Sequence, residues 1–478
     1  MPHHQQGRTP RPGSNRWPGV ALLSVGLVVA LATSACGGSG GSLSSTQSTA
    51  ATMPVGPSCI QPDSGMGCLP VAPANKRVDL TSPKFSDPTS VTNPLHPTSK
   101  IAQVIYGGQV DGKPFRTEFT LLPVIKTITW NGQQIQTITV QYLAYSDGRI
   151  QEIALDWFAQ ADDGAVWYLG EDVTDYKNGV VDTHQGSWLA GRDGPAAMIM
   201  PARSKVGDVY RTENAPGTAF EEVTVTAVGQ TITGPGGPIH GALVVSELHT
   251  DGTAEDKIFG PGYGEFSTGS PTGDLEQASL AVPTDARPGP PPAQLTTLST
   301  SVRDAFDTAG ANDWAGAAAA SRSLLKAWDA YQSKVPELLH KQMSRDIDAL
   351  ARAVAARNPH AAHQAALRVA QNDLDLRLRY QPVVKTDLAR LQLWARQLLV
   401  DAADRNPRRG RRRRRHPRTD PRPGPPHPAP GHRHTPGHPA ARPGGRSRQQ
   451  GPGRCGQGRP GTLGDTRNHM TQPVRGAA

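Results

Sequence analysis

The chain has 478 residues, room for two or three domains with cores of their own, and a formal net charge of +9. That charge is not evenly spread: residues 407–478 hold 17 Arg and no Lys against Asp420 and Asp465, a net of +15, which leaves −6 on the rest. The body is therefore mildly acidic, and nothing in it calls for a nucleic-acid partner.

In chain order, Arg8, Arg11 and Arg16 precede the apolar run "GVALLSVGLVVALA" (Gly19 to Ala32). It is short of the roughly 20 residues a bilayer-spanning helix needs and has the form of a secretory signal. "TSAC" follows, and its small residues before Cys36 resemble a bacterial lipobox, with Thr33 where Leu is usual. The resemblance implies cleavage just before Cys36, which removes residues 1–35, and a diacylglyceryl group on Cys36. The lipid bilayer would then be a partner, and the protein would sit on the extracytoplasmic face of the cell membrane. Residues 36–85 are rich in Gly, Ser and Pro and read as a tether. Cys59 and Cys68, nine apart and in an oxidising compartment, predict a small loop-closing disulfide.

Residues 86–283 are punctuated by Asp-Gly and Asn-Gly pairs in "VDGK", "WNGQ", "SDGR", "DDGA" and "KNGV". Such pairs tolerate the positive φ of tight hairpins, so an antiparallel meander is expected, as a curved or half-closed sheet or a sandwich. The fold class is α+β, with a β-rich part followed by a helical bundle. The stretch "DWFAQADDGAVWYLGED" (Asp156 to Asp172), with "GSWLAGRDGPAAMIMPA" and "FGPGYGEF" later, resembles a group of exported bacterial proteins. Their shared pattern is Asp-Trp-aromatic-Ala-Gln-Asp and then Val-Trp-Tyr-x-Gly-Glu; Ala161 departs from it. The resemblance implies a domain and no activity.

Two readings of this stretch stand side by side. In one, Trp157, Trp167, Tyr168 and Trp188 offer flat apolar faces to a ligand, while Asp156, Gln160 and Glu171 fix its polar groups or a Ca²⁺ ion. In the other, the rings are cross-strand core pairs and the acids sit in turns. No nucleophile elbow or zinc-protease motif is present, so no catalytic residue is assigned. A hydrolase working through these carboxylates is the alternative to plain binding.

Residues 284–294 form a Pro-rich linker, and beyond it the apolar period lengthens to about 3.6 residues. Residues 295–406 then predict a bundle of four or five helices, with Pro336, Pro359 and Pro382 at helix starts and Asn358 as an N-cap. One apolar stripe runs through Trp314, Ser321, Leu325, Trp328, Tyr331 and Val335. The next runs through Leu339, Met343, Ile347, Leu350 and Val354, and the last through Val384, Leu388, Leu391, Trp394 or Ala395, Leu398 and Ala402. Asp373, Asp375, Arg377, Arg379, Asp387 and Arg390 read as a solvated ion-pair network. His360 and His363 begin a helix whose partner ends near Asp401, a placement that would allow a transition-metal cluster and make the chain a metal-binding accessory protein; otherwise no cofactor is expected. Residues 407–478 are low in apolar residues and read as disordered, either as an arm for acidic cell-wall or envelope polymers or as a product of GC-rich DNA read out of frame.

Overall fold

The computed structural model describes residues 59–405, apart from 64, 66, 271 and 272, and without the side chains of 404 and 405. Cys36 and the Arg-rich segment lie outside the described residues. Cys59 and Cys68 are joined by a disulfide with Cα atoms 5.2 Å apart.

Fourteen strands make one antiparallel sheet, and five α-helices follow. The first meander comprises β1 (Gln103–Val110), β2 (Lys113–Trp130), β3 (Gln133–Ser146), β4 (Arg149–Gln160), β5 (Val166–Lys177) and β6 (Val180–Thr183). Four of its turns have the expected chemistry: Asp111-Gly112, Asn131-Gly132, Asp147-Gly148 and Asn178-Gly179 all sit at positive φ. The fifth differs, since in the connection between β4 and β5 only Gly164 has positive φ. There Asp163 accepts from Ala165 N at 2.9 Å, and Asp162 accepts from Ser86 N at 2.7 Å, so the side chains shape a longer loop.

The short strands β7 (Trp188–Leu189) and β8 (Ala197–Met200) pair with β5 and carry the chain across to the opposite edge. The second meander then returns through β9 (Val209–Ala215), β10 (Ala219–Gly234), β11 (Gly237–His249), β12 (Ala254–Gly260), β13 (Gly264–Gly269) and β14 (Leu275–Val282). β14 pairs with β1, so the first and last strands are neighbours in mid-sheet. β8, bonded to β5, also lies alongside β9. The sheet thus curls until its two ends meet, and it has an interior.

Helices α1 (Ala293–Gly310), α2 (Trp314–Asp329), α3 (Glu337–Ala355), α4 (Pro359–Arg377) and α5 (Val383–Arg405) gather on the back of β1 and β14, where Ile105 and Leu280 enter the helical core. Asn358 caps α4 by accepting from Ala361 N at 3.2 Å. The stripe Leu339, Met343, Ile347, Leu350 and Val354 is buried throughout. Two other stripes need correction. On α2 the core residue is Leu324, while Leu325 is 45% exposed. On α5 the apolar stripe faces outward, with Val384 65% and Leu398 70% exposed, while Thr386, Arg390 and Gln397 are buried.

The reason for the inverted α5 is polar. The ion-pair network expected in solvent is the buried joint between helices and sheet. Arg116 on β2 grips Asp375 of α4 with two bonds of 2.7 and 2.8 Å. Arg390 of α5 binds the same carboxylate at 2.8 Å and reaches Gln103 and Glu118 on the sheet at 2.9 and 3.2 Å. Burial alone would lift the Asp375 pKa, but the two guanidinium groups hold it below the usual carboxylate range. The Pro-rich segment is likewise a strap rather than a free linker: Asp285 is buried and accepts from Tyr263 Oη and Ala281 N, each at 2.9 Å. Asp375→Asn leaves two buried arginines short of a counter-charge and is expected to cost about 3–5 kcal/mol. The urea midpoint, with the slope unchanged, measures that loss; a shift below about 1 kcal/mol, the value of a surface pair, would show that the joint is not load-carrying.

Candidate functional site

Period-two alternation delivers side chains from almost every strand to the interior of the curl. β4 sends in Glu152, Ala154, Asp156 and Phe158; β12 sends in Glu255, Lys257 and Phe259. On β5 the alternation is broken. Asp156 pairs with Glu171, but Phe158 pairs with Tyr168, so β5 holds one residue more than β4 over this interval. The bulge is made possible by Gly170, at φ +131, where a Cβ would lie 2.3 Å from the Trp188 carbonyl oxygen. The reset in phase turns both Tyr168 and Glu171 inward.

The resulting cavity has a volume of about 220 Å³ and is lined by eight carboxyl side chains. It is also lined by the rings of Tyr106, Phe119, Tyr142, Phe158, Tyr168 and Tyr263. Phe158 stacks on Tyr168 at 4.8 Å, and Tyr168 Oη donates to Asp156 Oδ1 at 2.8 Å. His96, at the rim, packs its edge on Phe158 at 4.9 Å, and burial lowers its pKa to about 4, so it is neutral.

Charge divides the interior in two. On the β10–β13 side, Glu221, Glu247, Glu255 and Glu265 surround two cations. His249 lies 3.2 Å from Glu221 and 3.4 Å from Glu255. Lys257 pairs closely with Glu247 and lies 3.6 Å from Glu255. Burial would depress the His249 pKa, but its two carboxylate partners raise it to about 10, so it is an imidazolium. On the other side stand Glu152, Asp156, Glu171, Glu213 and Glu276, and among the described residues none of these five forms an ion pair. Burial, then neighbouring acids, lifts Glu152 to about 8. Burial lifts Glu276 to about 8 against the opposing hydrogen bond from Thr117. Burial raises both Glu171 and Glu213, and the carboxyls around them oppose ionisation further, Glu213 and Asp156 for Glu171 and Glu221 for Glu213.

Of the residues singled out in the sequence, Asp156, Tyr168 and Glu171 meet in this cavity. The others do not. Trp157 is buried beneath Lys126 Nζ, 3.1 Å from its ring centre, and Trp167 packs on Trp130 at 5.8 Å. Trp188 is wholly buried with its ring edge-on to Tyr168 at 5.4 Å. Gln160 fastens an incoming loop by accepting from Thr92 N and Asn93 N, both at 2.8 Å. The tryptophans are core, as the second reading of that stretch had it.

Among the described residues His360, His363 and Asp401 do not form a group with metal-ligand spacing. His363 stacks on Phe306 at 4.3 Å with Nε2 3.1 Å from the Phe306 carbonyl oxygen, while Asp401 is held by Arg149 at 2.6 and 2.8 Å. Among the described residues the group with metal-ligand spacing is Glu221, Glu247 and His249, already neutralised by Lys257 and the His249 proton. The acids of β9 to β14 were missed in the sequence: Glu247 in "VVSELHT" is a carboxylate within an apolar stretch, but Glu221 and Glu255 adjoin a second acid and Glu213 lies in a polar run.

Comparison with known protein families, curated proteins and solved structures finds no match.

Between pH 4.5, the ordinary value, and about 8, the folded chain keeps the Glu276 proton that the unfolded chain has lost. Stability therefore falls as pH rises through that window, by at most about 1.4 kcal/mol per pH unit for this group. Glu276→Gln removes the contribution. Its melting temperature is expected to match the parent's near pH 5 and to exceed it increasingly toward pH 8; parallel melting curves across that range would refute the assignment.

Proposed function

We propose that this chain is a lipid-anchored binding protein of the extracytoplasmic face, and that its curled sheet captures a small organic cation. The signal-like N-terminus and Cys36 support the anchor. A single observation carries the ligand: five interior carboxyls that form no ion pair among the described residues surround a cavity walled by aromatic rings. Carboxyls that hold protons for want of a partner exchange them for a positive charge. Rings favour an ammonium group, whose attraction to a π face survives desolvation, over a metal ion that wants six or more oxygens and keeps its waters. A primary, secondary or quaternary amine fits both halves of that description.

Calorimetric titration of the full chain with putrescine, choline and Ca²⁺ near pH 7 tests it. One of the amines is expected to bind with release of protons, seen as heats that scale with the buffer's ionisation enthalpy. Glu171→Gln with Glu213→Gln is expected to weaken that binding at least about tenfold, or about 1.4 kcal/mol. Silence with both amines, or binding of Ca²⁺ alone, overturns the ligand class. For the anchor, Cys36→Ser is expected to move the protein from the membrane fraction to the medium, and retention on the membrane would overturn it.

A second reading, a hydrolase using these carboxylates, is favoured by the placement of Glu171, Glu213 and Asp156 in one cavity with their carboxyls raised by burial, an arrangement suited to acid–base work. Turnover of an ester or glycoside substrate that is lost in a folded Asp156→Asn protein would select it over binding.

A further inference from the structure

Behind the sheet, where the β3–β4 turn meets α3, α4 and α5, lies a second cavity of about 70 Å³. Its walls are of a different character. Five carboxamides converge there: Gln342, Gln364, Gln371, Asn372 and Gln397. Most of its charged groups are paired: Asp346 is bound by Arg345 at 3.0 Å and by Arg368 at 3.2 Å, and Arg116 by Asp375, while Asp147 of the β3–β4 turn lines the cavity from an exposed position. Trp394 lines the cavity beside Tyr145, on which it stacks at 5.3 Å with the rings 14° from parallel.

The hydrogen bonding of these amides is incomplete. Gln342 is 7% exposed, and its Oε1 has no partner. Gln371 donates through Nε2 to Asp375 at 2.9 Å, but its Oε1 also has none. Gln397 Nε2 donates to Asp401 at 2.8 Å and reaches Gln364 Oε1 only at 3.5 Å. A buried amide oxygen without a donor is costly, and chains tend to replace it with an apolar group unless it serves something. Here the backbone is fitted to keep it. Gln342 lies on Gly107 of β1, where any Cβ would come within 2.0 Å of Nε2.

We propose that this cavity is a saccharide site, with one sugar ring hydrogen-bonded to Gln342 and Gln371 and its C–H face against Trp394. Each sugar hydroxyl both donates and accepts, as each carboxamide does, so the two chemistries satisfy one another. Residues of both sheet and helices are needed, so the site exists only when the two are joined.

The experiment is saturation-transfer NMR on the full chain with D-glucose, D-galactose and N-acetyl-D-glucosamine, repeated on Gln342→Leu and Gln371→Leu. At least one sugar is expected to receive magnetisation on its ring protons, with affinity about tenfold or more weaker in each variant. The melting temperature of Gln342→Leu is expected to equal or exceed the parent's, because leucine removes an unsatisfied amide. Amine titration of the variants reports separately on the interior of the sheet, so failure of one site does not obscure the other. The proposal is overturned if no sugar gives a signal, if the signal survives both substitutions, or if Gln342→Leu melts lower than the parent, which would make the amide structural.

Discussion

The pairing of β1 with β14 governs the rest of the molecule. Because the chain enters and leaves the sheet at adjacent positions in its middle, the two meanders grow outward in opposite directions. Right-handed twist then carries their ends toward one another until β8 bridges β5 and β9. The same pairing places the exit of β14 on the back of the sheet, where the helices must pack. One register thus produces an enclosed interior on one side and a sheet–helix joint on the other.

Both enclosed regions hold buried polar groups, handled in opposite ways. At the joint, every charge has a partner: Asp375 serves two arginines, and Arg390 spans Asp375, Glu118, Gln103 and Asp387. Inside the curl the balance is one-sided: among the described residues the ion pairs of Lys257 and His249 are made with the β10–β13 acids alone. Burying carboxyls without counter-charge opposes folding, and protonation relieves it only in part. A sheet stabilised for its own sake would carry apolar residues at these positions.

Much of the fold could be read from residue order. Asp147-Gly148 and its three counterparts gave the hairpins because positive φ is a local requirement, met by two residues and no others. The β4–β5 connection escaped because Asp162 is engaged by Ser86, a contact 76 positions away in the chain. The site was half legible. Asp156 and Glu171 stand out as acids in an aromatic string, yet their convergence depends on a bulge whose only local sign is Gly170. The opposing acids, Glu213 and Glu276, come from strands far along the chain, and only closure of the sheet brings them near. α5 misled for a different reason. Apolar spacing was equated with burial, whereas Arg390 is drawn inward by Glu118 and Gln103, and the leucines turn outward with the same rotation.

The bulge at Gly170 has a consequence for how this gene can change. On either side of it, odd and even positions exchange their roles: before it Tyr168 faces the cavity, after it Glu171 does, three residues on rather than two or four. Point substitutions leave that phase intact. Loss or gain of one codon between Tyr168 and Glu171 would reverse the facing of every later residue in β5, sending Glu171 into the apolar layer and an apolar neighbour into the acids. This strand can therefore diverge freely in identity among descendants while its length stays fixed, and a constant spacing from the aromatic pair to the glutamate would mark the lineage even after the letters themselves had drifted.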